Sequence, residues 1–200
     1  LTVPGAPPRH YSMANRPEEE LIELHVRAVP GGQTSTRIHA ELKAGDLVRI
    51  EGPTGAAYLR EAHSGPIVAI AGGSGLAPVK SIVETALYGG TEVPIHLYFG
   101  VRAMRDLYLV DHFRKLADEF PNLTFVPVPA QDGAPDMRQG FVTDALAADH
   151  ASLTGAKAYV AGPPAMVDAA WAVLAERGVH AADIHADVFF TPQAESDKEA

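Results

Sequence analysis

The sequence predicts two unlike halves. One is a partial antiparallel β-barrel over residues 1–62. The other is an α/β domain over 63–192, a parallel sheet with helices on both faces. Three observations lead there. Leu21-Ile22-Glu23-Leu24-His25-Val26-Arg27 and Asp46-Leu47-Val48-Arg49-Ile50-Glu51 alternate apolar with polar residues, the period of a half-buried strand. Pro66-Ile67-Val68-Ala69-Ile70 is wholly apolar, as a strand covered on both faces must be. From there strand-like and helix-like runs alternate, which gives a parallel sheet with crossover helices.

The elements follow in order. Leu1 to Gly5 reads as the middle of a strand, and further barrel strands are expected upstream. Gly31-Gly32-Gln33-Thr34-Ser35-Thr36 turns into a short helix, with Ile38 and Leu42 on one face and a Ser or Thr cap expected. Asp46 to Pro53 ends in the turn signal Gly52-Pro53. In the second half, Pro78 to Tyr88 suits a helix: its proline falls in the first turn and Gly89-Gly90 closes it. Strands are expected at Val93–Phe99, Leu123–Val128, Ala158–Ala161 and Ile184–Phe189. Helices are expected at Asp111–Phe120, Phe141–Ala148 and Pro164–Arg177, the last closed by Gly178. Gln131 to Gln139 reads as a polar loop, and residues 193–200 as a polar, disordered tail.

Composition excludes several classes. The chain of 200 residues carries a formal net charge of -9, against the basic face that a general nucleic-acid binder needs. It has no cysteine, so thiolate-held zinc and iron-sulfur clusters are excluded on this chain. The nine histidines show no metal-ligand spacing, and no metal site is expected. No apolar run approaches the ~20 residues of a membrane-spanning helix, and no signal peptide is visible, so a cytoplasmic location is the default. Trp171, beside Ala170, Val173 and Leu174, reads as core packing.

The chemistry lies in the turns. Ligands of open parallel sheets bind at the carboxyl ends of the strands, where the strand order reverses. Three marked segments fall there: Gly72-Gly73-Ser74-Gly75 before Pro78, Phe99-Gly100-Val101-Arg102, and Ala161-Gly162-Pro163-Pro164-Ala165-Met166. Glycines let backbone approach a pyrophosphate, and a helix N-terminus favours its charge. A plain strand-to-helix turn accounts for any one of them equally well. The ordinary dinucleotide fingerprint wants an acid after the second strand to hold a ribose; here stand Gly100 and Arg102. In the first half, Arg9-His10-Tyr11-Ser12 on a strand places Arg9 and Tyr11 on one face. The pair offers a guanidinium fork for phosphate and a ring for a planar heterocycle. Gly32-Gln33-Thr34-Ser35 opens a helix and makes a second anion cradle.

These segments, in this order, resemble the ferredoxin-NADP reductase superfamily. Within it the chain is most similar to reductase components of bacterial aromatic-ring-hydroxylating dioxygenases, such as those of naphthalene dioxygenase systems. The stretches that carry the resemblance are Arg9 to Asn15, His25-Val26-Arg27 with Gly31 to Ser35, and Gly52 to Arg60. They continue with Gly72 to Pro78, Tyr98 to Arg102 with Asp106-Leu107-Tyr108, Gly162 to Met166, and Ile184 to Phe190.

The resemblance implies FAD and NADH or NADPH as cofactors, and a ferredoxin or iron-sulfur domain as electron acceptor. It implies that Arg9 binds the flavin pyrophosphate, that Tyr11 lies against the ring and that Ser12 reaches its edge. His25, Val26 and Arg27 would line ring and ribityl chain, and Gly32, Gln33, Thr34 and Ser35 would hold the diphosphate. Gly73, Ser74 and Gly75 would meet the nicotinamide, and Phe99, Gly100 and Arg102 the adenosine. Ala161, Gly162, Pro163 and Met166 would complete that pocket, and Phe189 would shield the flavin. Tyr11, Ser12 and Phe189 are thus the residues expected beside the reacting atoms. One departure stands out: Ala161 occupies a place where the family usually has cysteine. Its loss is expected to slow hydride transfer by misplacing the ring rather than to abolish it. Two other readings stay open: a reductase of a diffusible acceptor, and a nucleotide-binding module without electron transfer. Arg102, Arg105, Arg114 and Lys115 form either a docking face for an acidic ferredoxin or a solvated face.

Overall fold

Every side chain of the run Ile67–Gly72 is buried, and this run becomes the central strand of a five-stranded sheet. The computed structural model describes residues 1–60, 63–135 and 137–190. The strands are β1 (Ile67–Gly72), β2 (Ile95–Ala103), β3 (Leu123–Gln131), β4 (Lys157–Gly162) and β5 (Ile184–Val188). All pair in parallel, in the order β3-β2-β1-β4-β5. The helices are α1 (Gln33–Ala40), α2 (Leu76–Tyr88), α3 (Val110–Glu119), α4 (Val142–Asp149) and α5 (Pro164–Glu176).

Alternation along the buried strands sorts the core into two layers. Ile67, Ala69 and Ala71 share one face with Leu97, Phe99 and Tyr159, under Leu76 and Val79 of α2 and Phe113 and Leu116 of α3. Val68 and Ile70 share the other with Tyr98 and Val160, under Val142 and Leu146 of α4 and Val167 and Leu174 of α5. Burying one such large side chain stabilises the fold by roughly 1.5–3 kcal/mol, so this half is well founded. Gly178, with φ +89°, ends the α5 segment in the left-handed conformation that an L side chain resists. Trp171 departs from the expectation of core packing: it is 38% exposed, because the adjacent positions Ala170 and Leu174 take the inward face of α5.

The first half is less regular than its alternation predicts. Its pairing consists of two isolated antiparallel bridges among the described residues, Thr2 with Arg49 and Met13 with Leu24. Leu21 and Leu47 are more than 80% exposed, so the apolar faces of these segments find little cover, and ladders of two strands are marginal without it. Helix α1 is not capped by Ser or Thr. Its N-cap is Gly32, and the hydroxyls of Thr34 and Ser35 donate instead to the carbonyls of Pro7 (2.7 Å) and Gly32 (3.3 Å). The polar loop expected from Gln131 starts one residue later, because β3 runs through Gln131. The expected domain boundary after residue 62 and the tail at 193–200 lie outside the described residues. No described helix is long and apolar enough to cross a membrane.

A histidine pair below the sheet gives this half a pH dependence. His96 on β2 meets His150 edge to face, 4.6 Å between ring centres. Burial pushes His96 below the usual histidine range, and the neighbouring His150 pushes the same way. Burial also lowers His150 and His185. The unfolded chain therefore takes up protons first as pH falls through the ordinary histidine range, and stability is lost there. The melting temperature is expected to fall between about pH 7.5 and 5.5. His96→Leu is expected to shrink that fall, as thermal scans across the range will show.

Candidate functional site

The strand order reverses between β1 and β4, and their ends lie side by side. Gly72 is in register with Gly100 on one side, while Ala71 pairs with Ala161 on the other. The chain after β1 makes one tight turn, Gly73–Gly75, and enters α2. Gly73 sits at φ +55° with open space where a side chain would point. Gly75 does the opposite: a Cβ there would overlap the carbonyl of Ala161. Gly162 closes the seam, since a Cβ on it would lie 3.1 Å from the Gly72 Cα. Gly100 backs onto Val142, where a Cβ would stand 2.9 Å from the Val142 Cβ. Gly75, Gly100 and Gly162 thus permit close backbone packing, and Gly73 supplies the open cradle.

The two halves meet at this end of the sheet. Ser12 Oγ donates to Asp187 Oδ2 at 3.1 Å, and Asp187 on β5 is the register partner of Ala161. The Phe189 amide donates to the Gly162 carbonyl at 2.8 Å, which carries the β4–β5 ladder one step further and leaves Phe189 half-buried beside it. Beyond Asp187 a cavity of about 190 Å³ opens between residues 56–60, α2 and the β4–β5 pair. Tyr159 stands in its wall and accepts from the Arg60 amide at 2.8 Å.

Around the Gly73 turn a second set converges. His25 Nδ1 lies 2.9 Å from the Tyr108 hydroxyl, and His25 Nε2 lies 2.9 Å from Glu23 Oε1. The Tyr108 hydroxyl is also 3.3 Å from the Gly73 carbonyl. Burial pushes the Tyr108 phenol far above its ordinary range, so it stays protonated and remains a donor. Phe99 meets the Tyr108 ring edge to face and is itself completely buried, so its side chain supports Tyr108 from below rather than reaching a ligand.

The remaining predicted residues fall nearby or at the surface. Thr34, through Pro7, ties the start of α1 to the segment that leads into Arg9. The first-turn amides of α1 have no intrahelical partner by geometry, and no acidic residue stands among them. That arrangement suits an anion. Arg9 and Arg27 are exposed, and Tyr11 is half-buried, its phenol raised by burial against the opposing charge of Arg9. The Val26 carbonyl accepts from His39 at 2.7 Å, and Gln33 is exposed. Ser74 is half-buried on the turn, Arg102 is exposed beyond β2, and Pro163 caps α5. Met166 lies under Gly72, with its Sδ where a Gly72 Cβ would stand. The sequence reading missed Asp187, Tyr108 and Glu23 as site members. Asp187 and Tyr108 lay inside recognised stretches, but only distance in space sets them apart from their neighbours. Among the described residues no group of three acidic or histidine side chains is placed to hold a metal.

A glycine-lined turn at the switch point of a parallel sheet is the arrangement of a nucleotide-binding α/β protein. The comparisons say which. The oxidoreductase NAD-binding domain family matches residues 69–171, and the oxidoreductase FAD-binding domain family matches residues 3–59. The chain belongs to this family of FAD- and NAD-binding oxidoreductases. It is 47% identical over 183 residues to the ferredoxin–NAD(P)(+) reductase component of the naphthalene 1,2-dioxygenase/salicylate 5-hydroxylase systems of Ralstonia sp., covering 91% of this chain and 56% of that protein. It is 42% identical over 186 residues to the corresponding naphthalene 1,2-dioxygenase component of Pseudomonas putida, with the same two shares. Among solved structures, Amycolatopsis cytochrome P450 reductase GcoB superposes with a TM-score of 0.89 at 41% identity, over 94% of this chain and 59% of that one. The chain thus spans a little over half the length of these relatives.

Proposed function

We propose that this chain is the flavin- and nicotinamide-binding part of a reductase that passes electrons from NADH or NADPH through FAD to an iron-sulfur acceptor, as the reductase component of an aromatic-ring dioxygenase system. The observation that carries it is the Ser12–Asp187 hydrogen bond. It joins a segment of the FAD-binding match to the end of the sheet that closes the NAD-binding half. Residues 1–62, as a partial antiparallel barrel, are read as the flavin side, and 63–192 as the nucleotide side.

FAD, when bound, accepts hydride and releases electrons one at a time. The chain's own residues do the positioning. Arg9 and the first turn of α1, Gln33 to Ser35, would hold the pyrophosphate; Tyr11 would lie against the ring, with Ser12 at its edge. Gly73 and Ser74 would admit the nicotinamide, while Gly75 and Ala161 fix the turn beneath it. Phe189 would cover the flavin from the β5 side. Arg102 and Pro163 would face the nucleotide's far end. The exposed cations Arg102, Arg105, Arg114 and Lys115 would dock an acidic ferredoxin. A cytoplasmic location accompanies this reading, since NADH and NADPH are drawn from that pool.

The test is the visible spectrum of the purified protein before and after anaerobic NADH. A flavin band near ~450 nm that bleaches is expected. A colourless protein that stays colourless after reconstitution with FAD would overturn the proposal and leave a nucleotide-binding module.

A further inference from the structure

Lys80, on α2, is buried to 7% side-chain exposure, and all three of its ammonium protons are used. It donates to the Ala14 carbonyl (3.2 Å), to Glu23 Oε2 (2.9 Å) and to Glu84 Oε2 (3.1 Å). Only Glu84 lies on its own helix, one turn on, where His112 of α3 approaches its other oxygen at 2.5 Å. Ala14 and Glu23 belong to the first half, where the Ala14 amide in turn donates to the Glu23 carbonyl at 2.8 Å. A surface ion pair would leave such a cation free to move; this one has no spare donor.

The contacts close into a ring. Lys80 holds one oxygen of Glu23, and the other oxygen faces His25 Nε2. His25 Nδ1 meets the Tyr108 hydroxyl, which meets the Gly73 carbonyl. Gly73 opens the turn that leads straight into the helix bearing Lys80. An ionised carboxylate only accepts, so the Nε2 that faces Glu23 Oε1 carries a proton, and Lys80 on Oε2 holds that carboxylate in place. With the ring proton on Nε2, Nδ1 accepts the single Tyr108 hydroxyl proton; with the proton on Nδ1, the ring donates to Tyr108 and leaves that hydroxyl proton for the Gly73 carbonyl. Burial works to raise the Glu23 carboxyl, but the hydrogen bonds from His25 and Lys80 hold it below the usual range, so it stays an acceptor.

We propose that Lys80 is a positioning residue: it fixes which atom of the residue 23 side chain faces His25, and through that contact orients His25 and ties the flavin-side segment 12–25 to the Gly73 turn. The part of this that concerns flavin and nicotinamide rests on the function proposed above. The tautomer does not, because it is a property of the chain alone.

The test uses the full chain without added cofactor, with ¹⁵N-labelled histidine rings read by long-range ¹H–¹⁵N NMR. Wild type is expected to show His25 protonated on Nε2. In Glu23→Gln the amide has one oxygen, and Lys80 takes it; the NH₂ group is left facing His25. The ring then moves its proton to Nδ1, shifting the tautomer ratio by about tenfold or more. Glu23 is partly exposed, so this variant is expected to fold. Adding Lys80→Met to Glu23→Gln frees the amide to turn over and restores the Nε2 proton. If Glu23→Gln leaves His25 on Nε2, or the double variant stays on Nδ1, Lys80 does not orient the side chain at 23 and the proposal is overturned. Failure to bind FAD in the spectral test would sink the function proposal while leaving this result intact.

Discussion

Gly75→Val is expected to abolish nucleotide binding and to lower the melting temperature by roughly 6–12 °C, taking an overpacking cost of about 3 kcal/mol for a chain of this size. The reason is backbone against backbone. A Cβ at Gly75 would overlap the carbonyl of Ala161 and stand 2.9 Å from the Gly162 nitrogen. No rotamer change relieves that clash. The start of α2 has to lift from β4, which opens the seam between β1 and β4 where the nucleotide is proposed to lie. Gly73→Ala is the control. At φ +55° with nothing within 4 Å, it carries only the left-handed backbone cost of about 1–2 kcal/mol. Calorimetry of unfolding and titration with NADH will separate the two. Equal losses in both variants would mean that close approach at Gly75 is not what constrains the turn.

Ser12→Ala is expected to lower the single-turnover rate of flavin reduction by about 10²-fold while changing NADH affinity little, the signature of lost alignment rather than lost binding. Ser12 donates to Asp187 across 175 positions of sequence, and Asp187 sits beside Ala161 in the sheet. Removing the hydroxyl unties the segment proposed to line the flavin from the strand proposed to face the nicotinamide. Asp187→Asn keeps an acceptor in place and is expected to lose less than Ser12→Ala. Stopped-flow absorbance under anaerobic conditions measures both. A Ser12→Ala rate equal to wild type would show that this contact does not align the site.

How much was legible depends on how far apart the contributing residues lie. The apolar run at Ile67–Ile70 reads as a strand buried on both faces, and it is the centre of the sheet. Pro78 falls in the first turn of α2, which begins two residues earlier at Leu76, and Gly178 follows the end of α5, because each acts on its own backbone. The glycines of the three turns were legible as a group, but not their separate duties. Only neighbouring strands reveal that Gly75 faces Ala161 while Gly73 faces open space. Trp171 was misread, because helical spacing alone does not say which flank of α5 meets the sheet. The strands of the first half were read from alternation, yet alternation needs a partner on each side to become a ladder, and the described residues supply two bridges.

By itself the sequence determined the order of elements in the second half, the parallel sheet and the place of its glycine turns, because periodicity, proline and glycine act within a few residues. The tertiary structure decided what those turns are tied to. Ser12 to Asp187, Glu23 to Lys80 and His25 to Tyr108 join residues between 57 and 175 positions apart. In sequence Lys80 looks like any surface lysine. Its burial follows from the packing of α2 against the Ala14–Glu23 segment, a long-range contact on which local residue patterns carry no information.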